Sequence, residues 1–242
     1  MKTTIIIPAR YGSTRYRGKP LVRILGREMV LRVADICKKV VNNENLFVAT
    51  DSKKISEVVK KNGYNVIKTS NNCLTGTDRV AQASQKINSG IIVNVQGDEP
   101  LIDSKDIIKV INAKKKYPNH VICGFDKVHK FEDPYGVNLP KVVVNSKNEL
   151  IYISRAAIPG SKKNRKEKKF HKQVCIYAFN KSQLRKFYQK NKKSEIELIE
   201  DIEILRFFDL NIKIKMVNLN SNSIAVDEKS DVKKVEKYLL NK

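Results

Sequence analysis

The sequence is poor in the features that mark several large classes of protein. No apolar run in its 242 residues approaches the ~20 needed to span a bilayer. The opening Ile5-Ile6-Ile7 is too short for the core of a secretory signal and meets Pro8 and Arg10 at once. The chain is therefore expected to be cytoplasmic, without stable membrane association. Cysteine is sparse: Cys37, Cys73, Cys123 and Cys175 are scattered, with no C-x-x-C and no histidine cluster nearby. That spacing supports neither a zinc site nor a disulfide framework, and reduced, largely buried thiols are expected. Aromatics make up only 7% of residues and do not alternate with the basic runs, so no platform for stacking bases is evident. Both G-x-x-x-x-G-K-[ST] and G-x-G-x-x-G are missing.

Acidic residues are outnumbered. Lys and Arg total 48 against 25 Asp and Glu, a formal net charge of +23. Much of the excess is lysine on helix faces, as at Lys38-Lys39, Lys60-Lys61 and Lys233-Lys234. A solvated lysine-rich surface accounts for that pattern; it attracts anionic ligands without making nucleic acid an expected partner.

Hydrophobic patterning is what the chain has in quantity. Short apolar runs predict strands over 3–8, 46–49, 65–67, 91–95, 121–125, 141–144, 150–153, 174–179 and 212–217. Apolar residues at helical spacing predict helices over 29–40, 53–61, 78–87, 104–116, 182–189, 196–208 and 231–240. Strands too apolar to have a wet face, alternating with helices, indicate an α/β fold with a mainly parallel sheet covered on both sides. Strands dominate from about 125 to 180, which reads as a β-rich insertion in a single domain spanning 1–242. The stretch "GSKKNRKEKKFHK" over 160–172 is too polar to pack. It reads as a solvated loop, with a flap over an anionic ligand as the alternative.

Three segments carry candidate chemistry. "TTIIIPARYGSTRYRGKPL", 3–21, runs a buried strand into Arg10, Arg15, Arg17 and Lys19 with Gly12 and Gly18. In open α/β sheets ligands collect at the carboxyl ends of strands, where backbone amides and cations can hold phosphate oxygens. Surface cations in a connecting loop are the other reading. "IIVNVQGDEPLI", 91–102, delivers Asp98 and Glu99 at the exit of a second buried strand. Carboxylates there can ligate a hard cation such as Mg²⁺, or can simply cap a turn. "SIAVDEKSD", 223–231, brings Asp227 to the start of the last helix, as a helix-terminal residue or as a metal partner for Asp98. Together the segments favour a nucleoside triphosphate site.

The residues of 5–21 resemble the N-terminal signature of the 3-deoxy-manno-octulosonate (Kdo) cytidylyltransferases, the CMP-Kdo synthetases. Further matches follow in order: "VATDS" at 48–52, "TGTDR" at 75–79, "VNVQGDEPLI" at 93–102, "ISRAAIP" at 153–159, "IEILR" at 202–206 and "AVD" at 225–227. The resemblance implies a Rossmann-like nucleotidyltransferase fold, usually homodimeric. It implies joining of CTP to a 2-keto-3-deoxy sugar acid, with Mg²⁺ as cofactor and CMP-Kdo and pyrophosphate as products, for lipopolysaccharide or capsule. It places Pro8, Ala9, Arg10, Ser13, Arg15, Lys19, Thr75, Gly76, Thr77 and Arg79 around CTP. Gln96, Arg155, Gln173, Tyr177 and Glu203 fall on the sugar side. Asp98 and Asp227 would hold the metal and, with Lys19, form the catalytic set. The 125–180 subregion would serve sugar binding and dimerisation.

The chain departs from the family pattern on the sugar side. Lys172-Gln173 stands where Arg-His is common, and Ile204 where the helix motif usually has Gln. Gln173 can hydrogen-bond but cannot become cationic. An amino-modified Kdo or another ulosonate is therefore the alternative acceptor, and a basic binding protein without activity is the alternative from another class.

Overall fold

The structure is a computed structural model that describes residues 1–12, 16–130, 132–162, 169–219, 221 and 223–241. Ser13 and Arg15 of the basic loop, and 163–168 of the polar stretch, lie outside the described residues. The chain begins with β1 (Thr3–Ala9), a 3₁₀ turn (Lys19–Leu21) and a small hairpin, β2 (Arg23–Ile24) and β3 (Arg27–Glu28). It continues through α1 (Met29–Cys37), β4 (Leu46–Thr50), α2 (Lys53–Lys61), β5 (Asn65–Lys68) and α3 (Gly76–Ser84). Then come β6 (Ile91–Val95), α4 (Ser104–Lys116), β7 (Val121–Lys127), β8 (Lys141–Val144), β9 (Leu150–Ser154) and β10 (His171–Phe179). The remainder is α5 (Lys181–Gln189), α6 (Glu195–Glu200), a 3₁₀ turn (Glu203–Leu205), α7 (Arg206–Asp209), β11 (Ile214–Asn218) and α8 (Lys229–Leu240).

The main sheet has the order β11-β7-β10-β6-β1-β4-β5, with β8 beside β10 and β9 beside β8. β1 lies parallel to both β4 and β6, and β7 lies parallel to β11. β10 runs antiparallel to its neighbours β6 and β7, so its first residues sit at the edge where those strands end. The order reverses at β1, between β4 and β6, and the crevice beyond the ends of β1 and β6 is where such a sheet binds ligands.

Burial on both faces explains the uninterrupted apolar strands. Ile5, Ile7, Val93 and Val95 pack on one side with α1, α2 and α4. Ile6 and Ile92 pack on the other with α3, α5 and Phe207. Each such fully buried side chain contributes roughly 1.5–3 kcal/mol of transfer free energy. Local caps set the helix starts. Ser52 accepts from the Ile55 N–H at the head of α2, and Thr75 from the Asp78 N–H at the head of α3. Asn180 with Gln183 and Ser194 with Glu197 form capping boxes on α5 and α6.

Two of the differences from expectation bear on the site. The predicted helix over 196–208 is broken: α6 ends at Glu200, and Asp201 takes a left-handed conformation with φ 47°. The break frees the next turn to aim Glu203 at α3, described below. β10 also starts at His171 rather than at 174. Lys172 and Gln173 are buried there, the first by an ion pair with Glu132 and the second by a hydrogen bond to Tyr177.

Candidate active site

The exits of β1 and β6 are brought very close. A β-carbon at Gly97 would lie 2.9 Å from the Pro8 carbonyl oxygen, so only glycine lets the two strand ends meet. Gly18 sits at φ 73° and donates its N–H to the Tyr11 carbonyl at 2.8 Å, which brings residue 18 back beside the exit of β1. The 3₁₀ turn that follows points Lys19 across the crevice.

Lys19 is the centre of the arrangement. Its Nζ donates to Asp98 Oδ2 at 2.8 Å and to Asp227 Oδ1 at 3.4 Å. Burial works against the ammonium, but the charges and hydrogen bonds of Asp98 and Asp227 outweigh it and hold its pKa above the ordinary value. The two aspartates arrive from the exit of β6 and the loop before α8, and the Val226 N–H donates to the Asp98 carbonyl at 2.9 Å.

Two adjoining cavities share Gln96, Asp98 and Asp201. The first, about 390 Å³, is lined by Pro8, Ala9, Arg10, Lys19, Thr75, Gly76 and Arg79. Arg79 is 2% exposed, pairs with Asp51 at 3.4 Å and hydrogen-bonds Thr69. Its Nη2 has no hydrogen-bond partner among the described residues, an unusual state for a buried donor in a cavity wall. Thr77 lies behind this wall. Its N–H donates to Glu203 Oε2 at 2.8 Å, and its hydroxyl accepts from Asn94 at 3.4 Å.

The second cavity, about 280 Å³, is lined by Gln96, Arg155, Gln173, Tyr177 and Glu203, together with Asp98, Asp227 and several others. Glu203 accepts from Gln96 Nε2 at 2.8 Å, and burial raises its carboxyl above the ordinary value against the opposing Thr77 hydrogen bonds. Gln173 Nε2 donates to the Tyr177 hydroxyl at 3.0 Å. Arg155 braces the rim: its Nε donates to the Glu200 carbonyl at 2.5 Å, Nη1 to that of Val137 at 2.7 Å and Nη2 to that of Asp201 at 3.0 Å. Three of the guanidinium's five N–H donors are thus used within the protein.

Oxygen donors suit a hard cation, and the two aspartates converge on a point already held by positive charge. Among the described residues no group of three or more His, Cys, Asp or Glu side chains is placed to hold a metal ion. The paired carboxylates of Asp98 and Asp227 are of the donor type that a hard cation such as Mg²⁺ takes.

The cytidylyltransferase family profile matches residues 4–214. The 3-deoxy-manno-octulosonate cytidylyltransferase of Parabacteroides distasonis is 37% identical over 100% of both chains. The chain belongs to the 3-deoxy-manno-octulosonate cytidylyltransferase family. An 8-amino-3,8-dideoxy-manno-octulosonate cytidylyltransferase of Shewanella baltica is 34% identical over 99% of this chain and 99% of its own length. A solved structure of CMP:2-keto-3-deoxy-manno-octonic acid synthetase complexed with CTP superimposes with a TM-score of 0.90 at 31% identity, covering 100% of this chain and 99% of that one. The α/β nucleotidyltransferase fold and the enzyme class follow from these matches.

Glu99, noted in the sequence as a possible cation ligand or turn cap, is instead buried on a partner from the loop before α8. Glu99 is 4% exposed, and burial pushes its carboxyl up to about 7, against the hydrogen bond donated by the Ser223 hydroxyl. Lys172 pairs with Glu132 in the lining of the second cavity. For Ser223 the one available signal was adjacency, four residues before Asp227. Asp201, shared by both cavities, gave none. Among the described residues no helix is long and apolar enough to cross a membrane.

Proposed function

We propose that this enzyme transfers the cytidylyl group of CTP to the anomeric 2-hydroxyl of Kdo, giving CMP-Kdo and pyrophosphate, with Mg²⁺ as cofactor. The observation that carries the reading is the meeting of Asp98 and Asp227 on Lys19, between a basic nucleotide-side cavity and a second cavity of acceptor size. Pro8, Ala9, Thr75 and Gly76 form the walls around cytidine, and the unpaired Nη2 of Arg79 is a donor for a base carbonyl. Arg10, Ser13, Arg15 and Lys19 take the triphosphate.

The hydroxyl attacks the α-phosphorus and the bond to the β-phosphate oxygen breaks, with pyrophosphate leaving. Such transfers depend on positioning and charge neutralisation more than on covalent side-chain chemistry. Asp98 and Asp227 would hold Mg²⁺, which when bound offsets phosphate charge and lowers the pKa of the attacking hydroxyl. Lys19 stabilises charge on the departing pyrophosphate. Gln96, Gln173, Tyr177 and Glu203 orient the sugar hydroxyls, and the remaining N–H donors of Arg155, near Lys172, face the sugar carboxylate. A role in lipopolysaccharide or capsule formation in the cytoplasm, and a homodimer, belong to the same proposal. Exposed Ile151 on β9 and Leu198 and Ile199 on α6 supply apolar surface for a partner copy.

The test is pyrophosphate release with CTP and a panel of ulosonates. Kdo turnover is expected; preference for the 8-amino acid would move the acceptor assignment, and silence with every 2-keto sugar acid would remove the reading. Asp98→Asn and Asp227→Asn should each lower kcat by at least about 100-fold, with unfolding midpoints unchanged.

A further inference from the structure

The loops that carry Asp98 and Asp227 are far apart in sequence, and something must fix their mutual orientation. The bond from the Val226 N–H to the Asp98 carbonyl, 2.9 Å, ties them at one point. Lys19 Nζ bridges the two carboxylates themselves, and the backbone that carries Asp227 is held further back along its loop. The next tie is the hydroxyl of Ser223, which donates to Glu99 Oε2 across 124 residues of chain. Ser223 and Glu99 are 8% and 4% exposed, and both line the sugar-side cavity. The loop is anchored on its other side, where the Ser223 N–H donates to Ser221 Oγ at 3.1 Å and the Ser221 N–H to Asp126 Oδ2 at 2.9 Å.

We propose that Glu99 and Ser223 are a positioning pair: their bond is the second fixed point that sets the Asp227 carboxylate against Asp98 over the cation position beside Lys19. The inference rests on the reading above, in which these two aspartates hold the metal. Placement matters because a shift of about 1 Å in a reacting assembly can cost roughly 100-fold in rate. A pair that merely stabilised the fold would lower the unfolding midpoint without altering the response to metal.

Four variants decide the matter: Ser223→Ala, Glu99→Ala, Ser223→Thr and Glu99→Gln. Ser223→Ala and Glu99→Ala should each lower kcat by about tenfold or more and raise the Mg²⁺ concentration for half-saturation, while KM for CTP stays within about twofold. Ser223→Thr keeps the hydroxyl and Glu99→Gln keeps an acceptor oxygen, so both should restore most of the rate. In an Asp227→Asn background, Ser223→Ala should add little further loss, because the group it positions has already been altered. Calorimetric titration of Mg²⁺ into the protein with a non-hydrolysable CTP analogue gives a readout independent of turnover, and Ser223→Ala should weaken it.

Normal metal response in both alanine variants, or a loss fully additive with Asp227→Asn, overturns the pair. Should Ser223→Ala not fold, Glu99→Ala and Glu99→Gln give the same decision. Lack of turnover by the unaltered enzyme with every acceptor would instead strike the proposed function, and the calorimetric arm would still judge the pair.

Discussion

Arg206 is fully buried, with its N–H edges hydrogen-bonded and one face of its guanidinium covered by an aromatic ring. Nε and Nη2 donate to the two oxygens of Glu197 at 2.7 Å each, and Nη1 to Asp78 Oδ1 at 2.8 Å. The Phe187 ring stacks beneath it, 3.8 Å from the guanidinium carbon. Burial opposes the charge, but the hydrogen bonds and charges of Glu197 and Asp78 prevail and raise the pKa above its ordinary value. Replacing a buried pair wholesale can be neutral, yet removing one partner strands the other. Arg206→Met would leave two carboxylates without their cation, at a cost of about 3–5 kcal/mol. For a chain of this length that is a fall of roughly 6–20 °C in Tm, measurable by calorimetry. A change below about 1 kcal/mol would mean that water or a shifted side chain replaces the arginine.

At the level of elements, the broken helix connects the scaffold with the site. Because the chain turns at Asp201, Glu203 reaches the first turn of α3 and accepts from the Thr77 N–H, where a carboxylate is favoured by the helix dipole. The same carboxylate orients Gln96, which lines both cavities. Glu203→Ala should therefore raise KM for the acceptor acid more than KM for CTP, and cost about 1–3 kcal/mol from the unpaired N–H groups. Steady-state kinetics with each substrate varied checks this; equal effects on both would separate Glu203 from the acceptor side. The turn was hidden in the sequence because Ile202, Leu205 and Phe207 return to the core and continue the helical spacing on either side of it. Asp201 is only a weak marker of a left-handed residue. The start of β10 was hidden for the converse reason: Lys172 and Gln173 look like loop residues until their partners, distant in sequence, are known. Strands buried on both faces were legible, since their runs of Ile and Val need no partner to be recognised. The convergence of Asp98, Asp227 and Lys19 came from ordered motifs, whereas the Ser223–Glu99 contact depends on a crossing of loops that no local pattern encodes.

For the whole molecule, the net charge of +23 acts over distances set by the salt. A tetra-anionic nucleotide approaching a cationic crevice is steered, and screening removes that help. Raising ionic strength from about 50 to about 500 mM should lower kcat/KM for CTP several-fold and leave kcat nearly constant. A salt-independent kcat/KM would confine the charge to solubility. The reversed strand has a different consequence. β7 ends and β10 begins at one rim of the sheet, so β8 and β9 form a cassette plugged in at that rim. Under the proposed function, that cassette could be lengthened, shortened or exchanged without touching β1 and β6, and one donor engine would thereby be fitted to a succession of different acid sugars.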